Sequence, residues 1–205
     1  LTLRRPGEPE APPGAGRLIV LAIGVNQYAQ SDLNLRFASP DARSVADALR
    51  ASGNGLFSDV DLRVVPDSRA TRRGVLDALA TAARDVRPED TFILYLAGHG
   101  IVSQPGNRFL FLPSDVRDTS SMTALRPQTI DDTTLVAALA RIRARDAFIL
   151  IDTCYAGQID IDQLAAIGND TGRFLLAASS SVQEALDSYD DRNGVFAYAL
   201  MEGLR

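Results

Sequence analysis

The chain holds one cysteine and one histidine, and both follow apolar runs. Cys154 comes after Phe148-Ile149-Leu150-Ile151-Asp152-Thr153 and is followed by Tyr155-Ala156-Gly157. His99 comes after Phe92-Ile93-Leu94-Tyr95-Leu96-Ala97 and lies between Gly98 and Gly100. Short apolar runs bounded by turn residues read as fully buried strands of a parallel sheet. Their carboxyl ends are where open α/β sheets bind ligands. A thiolate attacks carbonyl carbon, and a neighbouring imidazole takes the thiol proton and later returns it to the leaving group. Nearby glycines let a substrate backbone approach and expose N–H groups that could hold an oxyanion. Taken singly, a lone cysteine is a small buried hydrophobe and a lone histidine is a satisfied core or surface group. Their matching context favours nucleophile and base.

Other chemistries fit less well. A cysteine phosphatase needs an arginine shortly after its cysteine to cradle phosphate, and Asp160 stands at that place. There is no G-x-S-x-G elbow, Walker loop or G-x-G-x-x-G turn. One histidine with carboxylates is a poor catalytic metal set.

With 205 residues, 46% of them hydrophobic and 23% charged, the chain can bury one substantial core. The net charge of −5 and the absence of a basic stripe argue against nucleic-acid binding. One cysteine excludes an internal disulfide and a cysteine-rich zinc site, and suits a reducing cytoplasm. No apolar run reaches the ~18 residues of a membrane helix. Residues 1–16 are rich in proline and glycine and read as a flexible linker ahead of a domain over 17–205. The chain starts on Leu1 and ends in what reads as a helix in progress. The expectation is therefore a piece of a longer protein with further domains, its own domain incomplete at the C-terminus.

The elements that must position the two residues can be read in order. Arg17–Val25 is a first buried strand, followed by a polar loop from Asn26. Ser39-Pro40-Asp41 reads as a helix start, with Ser39 as cap and Ala42, Val45, Ala46 and Leu49 at helical spacing. Gly53 and Gly55 end it. Val60–Val65 is a shorter strand. Thr71 caps a helix that buries Val75, Leu79, Ala82 and Val86. After the histidine strand, Arg108–Pro113 reads as half of a hairpin. Asp131 or Asp132 caps a helix that buries Leu135, Leu139 and Ile142. A short helix around Ile161–Ile167, a strand over Arg173–Ser179 and a final helix over Val195–Leu204 complete the pattern. Alternating strands and helices predict an α/β fold with a mostly parallel sheet and helices on both faces. Right-handed crossovers bring the loops after Val25, Ala97, Thr153 and Ser179 to one rim.

These residues resemble the caspase-like cysteine peptidases. That family carries a histidine–glycine pair after one strand and, later, an acid or glutamine two residues before a cysteine. Gly98-His99-Gly100 and Asp152-Thr153-Cys154-Tyr155-Ala156-Gly157 look like that pair. The aspartate variant is closer to metacaspases and bacterial orthocaspases. The resemblance extends to Ile23–Tyr28, Asp41-Ala42, Ala177–Ser180 and Asn193–Phe196. Tyr155-Ala156 departs from the His-Ser usual in metacaspases, and the family's further structure after the last helix is missing. The resemblance implies a three-layer caspase-like sandwich and a cysteine endopeptidase acting on protein or peptide substrates. It makes Cys154 the nucleophile and His99 the base, with the imidazole oriented by a backbone carbonyl. Backbone N–H groups of Gly100 and Cys154 would form the oxyanion hole. Asp41 and Asp152 would line a pocket for arginine or lysine before the scissile bond. No cofactor is implied, although some metacaspases need calcium.

Plainer readings stand beside these. Asp41 also fits a helix-start acid, and Asp152 a solvated strand-end acid. Arg36 lies close to where caspases place a pocket arginine, which would select aspartate instead. An idle caspase-like module that binds a partner is the alternative to an enzyme. If the pocket takes arginine, Arg117 and Arg192, in polar loops, are candidate sites of self-cleavage.

Overall fold

Strand β1 (Leu18–Gly24) is buried at every position and, among the described residues, lies inside a sheet of five strands in the order β2-β1-β3-β7-β8, paired in parallel. Its partners are β2 (Val60–Val65), β3 (Thr91–Gly98), β7 (Asp146–Thr153) and β8 (Gly172–Ala178). The computed structural model describes residues 11–12, 14–103, 108–153, 172–178 and 192–204, with 172–178 as backbone apart from Phe174. The short helix read around Ile161–Ile167 lies outside the described residues.

Strand alternation divides the core in two. Ile19, Leu21, Ile23, Phe92, Leu94, Leu96, Ile149 and Ile151 pack on one face with α2 (Arg72–Asp85) and α4 (Asp132–Leu139). Leu18, Val20, Ala22, Ile93, Tyr95, Ala97 and Leu150 pack on the other with α1 (Ala38–Gly53) and α5 (Val195–Gly203). The period of two in a strand forces this split, and helices on both faces explain why the strands are continuously apolar. The result is the three-layer α/β sandwich expected from the sequence. A second, antiparallel sheet of β4 (Gly100–Ser103), β5 (Arg108–Phe111) and β6 (Ile130–Asp131) follows His99 directly. Its β4–β5 pair completes the half-hairpin read at Arg108–Pro113.

The caps follow local chemistry with one correction. Thr71 Oγ1 accepts from the Gly74 N–H at 3.0 Å. Asp131 Oδ1 accepts from the Thr134 N–H at 2.7 Å, so Asp131 is the α4 cap. Asp132 instead is buried and pairs with the Arg108 guanidinium. Ser39 is not the α1 cap: the helix starts at Ala38 with Phe37 at the N-cap. The Ser39 N–H is satisfied from outside the helix, by Asn26 Oδ1 at 2.8 Å. The short helix α3 (Met122–Leu125), capped by Ser121, has too few residues to show a periodicity in the sequence.

At the end of β1 the first turn of α1 comes very close. A Cβ placed on Gly24 would lie 2.0 Å from the Ala38 carbonyl oxygen, so only glycine lets α1 seat over the strand end. Gly24→Ala should therefore destabilise the fold by about 1–3 kcal/mol, as overpacked cores do. Urea unfolding checks this: the midpoint should fall at unchanged m-value.

Candidate active site

The chain passes from β1 outward to β2 through α1, then returns past β1 to β3 through α2. That reversal makes a topological switch point between β1 and β3. The crevice outside their carboxyl ends is where such sheets bind ligands. The loop after β1 and His99 after β3 meet there.

His99 is half-buried and held from the β1–α1 loop. Its backbone N–H donates to the Tyr28 hydroxyl at 3.0 Å. Its ring nitrogen Nε2 is 2.9 Å from the Leu33 carbonyl oxygen. A carbonyl can only accept, so Nε2 carries a proton, and in the neutral ring the lone pair is then on Nδ1. The Tyr28 ring packs against the imidazole, with centroids 5.3 Å apart and planes tilted by 46°. Burial pushes the imidazole pKa below its ordinary value, opposed by the Leu33 carbonyl, which favours the charged form.

The loop that delivers Tyr28 and Leu33 is itself pinned. Asp67 Oδ1 accepts from the Asn26 and Gln27 N–H groups, the latter at 3.0 Å. The Asn34 side-chain oxygen accepts from the Tyr28 N–H at 2.9 Å. Asn26 Nδ2 donates to the Arg36 carbonyl at 2.9 Å, and the Leu35 N–H donates to the Asn26 carbonyl at 2.9 Å.

Gly100 opens β4. The Leu112 N–H donates to the His99 carbonyl at 3.0 Å, and Gly100 is in register with Phe111. Bonded and non-bonded pairs alternate in an antiparallel ladder, so Gly100–Phe111 is a non-bonded pair. The Gly100 N–H is therefore turned away from β5. Strands β3 and β7 end in register at Gly98 and Thr153. The residues that follow in sequence are His99 and Cys154. Cys154 itself lies outside the described residues.

The two candidate pocket acids lie on the α1 face but in different settings. Asp152 is in register with Ala97, and its Oδ2 accepts from the Tyr95 hydroxyl at 2.8 Å. Burial pushes the Asp152 carboxyl up, against the opposing effect of the Tyr95 bond. Asp41 is 2% exposed. Its Oδ1 accepts from Asn193 Nδ2 at 2.7 Å, and both of its oxygens lie within 3.2 Å of the Gly194 nitrogen at the N-cap of α5. Burial raises the Tyr95 hydroxyl pKa most, and the charges of Asp152 and then Asp41 raise it further. Tyr95 thus lies in the field of both acids. Arg36 is exposed, with its guanidinium 5.0 Å from the centre of the Phe37 ring.

Four contributors were not assigned roles from sequence: Tyr28, Leu33, Tyr95 and Asn193. Two of them carried a signal. A tyrosine inside a buried strand needs a partner for its hydroxyl, which marks Tyr95. Asn193 next to a glycine ahead of a helix marks a capping position. A carbonyl such as that of Leu33 carries no side-chain signature. Of the two loop arginines, Arg117 and the following Asp118 direct their N–H groups at Gln128 Oε1, at 2.8 and 3.4 Å. Arg192 is exposed just before Asn193. Among the described residues no group of three or more His, Cys, Asp or Glu could hold a metal ion, and no helix is long and apolar enough to cross a membrane.

Comparison with known proteins agrees with the fold. The chain is similar to metacaspase-1 of Candida albicans, 34% identical over 91 residues that cover 42% of this chain and 20% of that protein. It is also similar to a probable protease of a Desulfuromonadales bacterium, 26% identical over 213 residues that cover 90% of this chain and 25% of that one. The chain thus spans only a fifth to a quarter of the curated relatives it matches. A crystal structure of a Geobacter sulfurreducens protein shares the fold, with a TM-score of 0.51 at 22% identity over 67% of this chain and 50% of that chain. A family profile described as the caspase domain matches residues 17–205, nearly the whole of the sequence, and the chain belongs to that family of peptidase domains.

Proposed function

We propose that the protein is a cysteine endopeptidase that cleaves after a basic residue, arginine before lysine, through Cys154 and His99. The observation that carries this reading is the state of His99. Its Nε2–H is engaged by the Leu33 carbonyl, burial lowers the ring's pKa and so favours the neutral form, and in that form Nδ1 is the base. It stands at the end of the strand paired with the one that leads into the only cysteine.

The reaction follows from these groups. Nδ1 takes the Cys154 proton, and the thiolate adds to the carbonyl carbon of the scissile bond. The Gly100 and Cys154 N–H groups hold the oxyanion. As the intermediate collapses, the C–N bond breaks and His99 gives its proton to the leaving amine, which leaves a thioester. Water then adds with His99 again as base, releasing the carboxylic acid and the free thiol. Asp152 and Asp41 supply the negative charge that favours arginine or lysine before the bond. Arginine can meet a carboxylate with two parallel hydrogen bonds, whereas lysine offers a point charge. The position of Arg36, exposed and against Phe37, gives no support to a pocket for aspartate.

Cys154→Ala and His99→Ala should each abolish peptidase activity while the fold survives, because both follow strand ends in sequence. Nucleophile and base act as a unit, so the double variant should be no worse than either single one. Retention of more than about a tenth of the rate in either would overturn the dyad.

The pH profile gives an independent check. The base must be unprotonated, and the His99 pKa lies below the ordinary ~6.5. Activity should therefore persist below that pH, and the acid limb of kcat/KM should lie under it. A limb above about 7 would contradict a buried neutral imidazole.

Matched peptides ending in arginine, lysine and aspartate test the pocket. Arginine should be cleaved fastest and aspartate at least about a hundredfold more slowly, since a like charge facing Asp152 has no partner. Faster cleavage after aspartate would defeat this assignment.

A further inference from the structure

The two pocket acids are not equivalent. Both Asp41 oxygens are engaged by Asn193 and Gly194 at the start of α5, and the side chain is almost wholly enclosed. Asp152 is engaged through Oδ2 alone, by the Tyr95 hydroxyl, and its Oδ1 meets no donor among the described residues. Tyr95 has no exposed surface. Its ring is fixed in the core between β3 and α1, so its hydroxyl has one place to point.

We infer that Tyr95 is a positioning residue of the specificity pocket: its hydroxyl holds Oδ2 of Asp152, so that Oδ1 is the oxygen offered to the guanidinium of an arginine substrate. Asp41, with both oxygens engaged at the start of α5, contributes charge to the same field. This rests on the basic-residue specificity proposed above and deepens it.

The geometry explains why a fixed acid is useful here. Asp152 stands one residue before the end of β7, and a free carboxylate there would rotate about χ2. A hydrogen bond from a hydroxyl that cannot move selects one rotamer in advance, so less order is lost when the guanidinium arrives. A phenol is also a neutral donor. It holds the carboxylate without cancelling the charge that the substrate needs, which an arginine or lysine in its place would do. The bond favours the ionised carboxylate against the effect of burial.

Tyr95→Phe removes only the hydroxyl. The experiment compares kcat and KM of wild type and Tyr95→Phe on a peptide ending in arginine and on the same peptide ending in citrulline, which keeps the shape and lacks the charge. In wild type the arginine peptide should be far better. In Tyr95→Phe the arginine-to-citrulline ratio of kcat/KM should fall about tenfold, the loss lying in KM for the arginine peptide. A role confined to packing would lower both peptides alike and leave the ratio unchanged. A high wild-type ratio that Tyr95→Phe leaves within twofold overturns the inference alone. A wild-type ratio near one overturns the basic specificity and this inference with it. Should Tyr95→Phe fail to fold, Asp152→Glu serves, because it keeps the charge but moves the carboxylate one methylene away from the Tyr95 hydroxyl. It too should lose the arginine-to-citrulline ratio, and its keeping the wild-type value would overturn the inference.

Discussion

Everything at the rim depends on how the β1–α1 loop holds His99. The histidine follows a glycine at φ 150° and opens a turn into β4, so its own segment does little to fix it. Tyr28 takes its backbone N–H and Leu33 takes its ring N–H, the first from 71 residues away in sequence and the second from 66. Both come from one loop, whose shape is set by three short polar side chains. Asp67 gathers two of its backbone donors, Asn26 ties it to α1, and Asn34 closes it on Tyr28. A buried N–H without an acceptor costs about 1–3 kcal/mol, so these bonds keep the loop in one conformation. The imidazole is thereby held in one orientation, which is what the proposed base would need in order to act without reorganisation.

Much of the framework was legible in the sequence because it follows from periodicity. The apolar runs at Leu18, Val60, Phe92 and Phe148 became parallel strands, and the helices between them carry their apolar residues inward as spaced. The same period of two explains why the pocket residues share a face. Tyr95 and Ala97 on β3 alternate with Leu94 and Leu96, and Leu150 and Asp152 on β7 alternate with Ile149 and Ile151. Asp152 could only point toward the face that α1 covers, where Asp41 lies.

What the sequence did not reveal are bonds whose partners are remote in the chain or made by the backbone. Ser39 reads as a cap because serine before proline and aspartate is a local signature. The structure supplies the acceptor from Asn26 instead, and no local pattern records that substitution. The Leu33 carbonyl has no residue type to recognise. Asp41 and Asp152 look alike in sequence, each an acid at the end of an apolar element. They differ only through partners 152 and 57 residues away.

The tie between Asp41 and α5 has a consequence for how the pocket holds together. α5 lies on the same face as α1, and its first turn has no side-chain cap of its own. Asp41 provides one, placing a carboxylate at the helix N-terminus, where the dipole favours negative charge. The Asp41 carboxylate therefore docks the last helix, and the dock is a long-range one. A carboxylate shared in this way is neutralised in part by the N–H groups around it, which weakens its pull on any nearby cation. Asp152 is held instead by a neutral hydroxyl, that of Tyr95. Under the proposed specificity one acid would hold the architecture and the other would read the substrate, and the difference in their hydrogen-bond partners separates the two tasks.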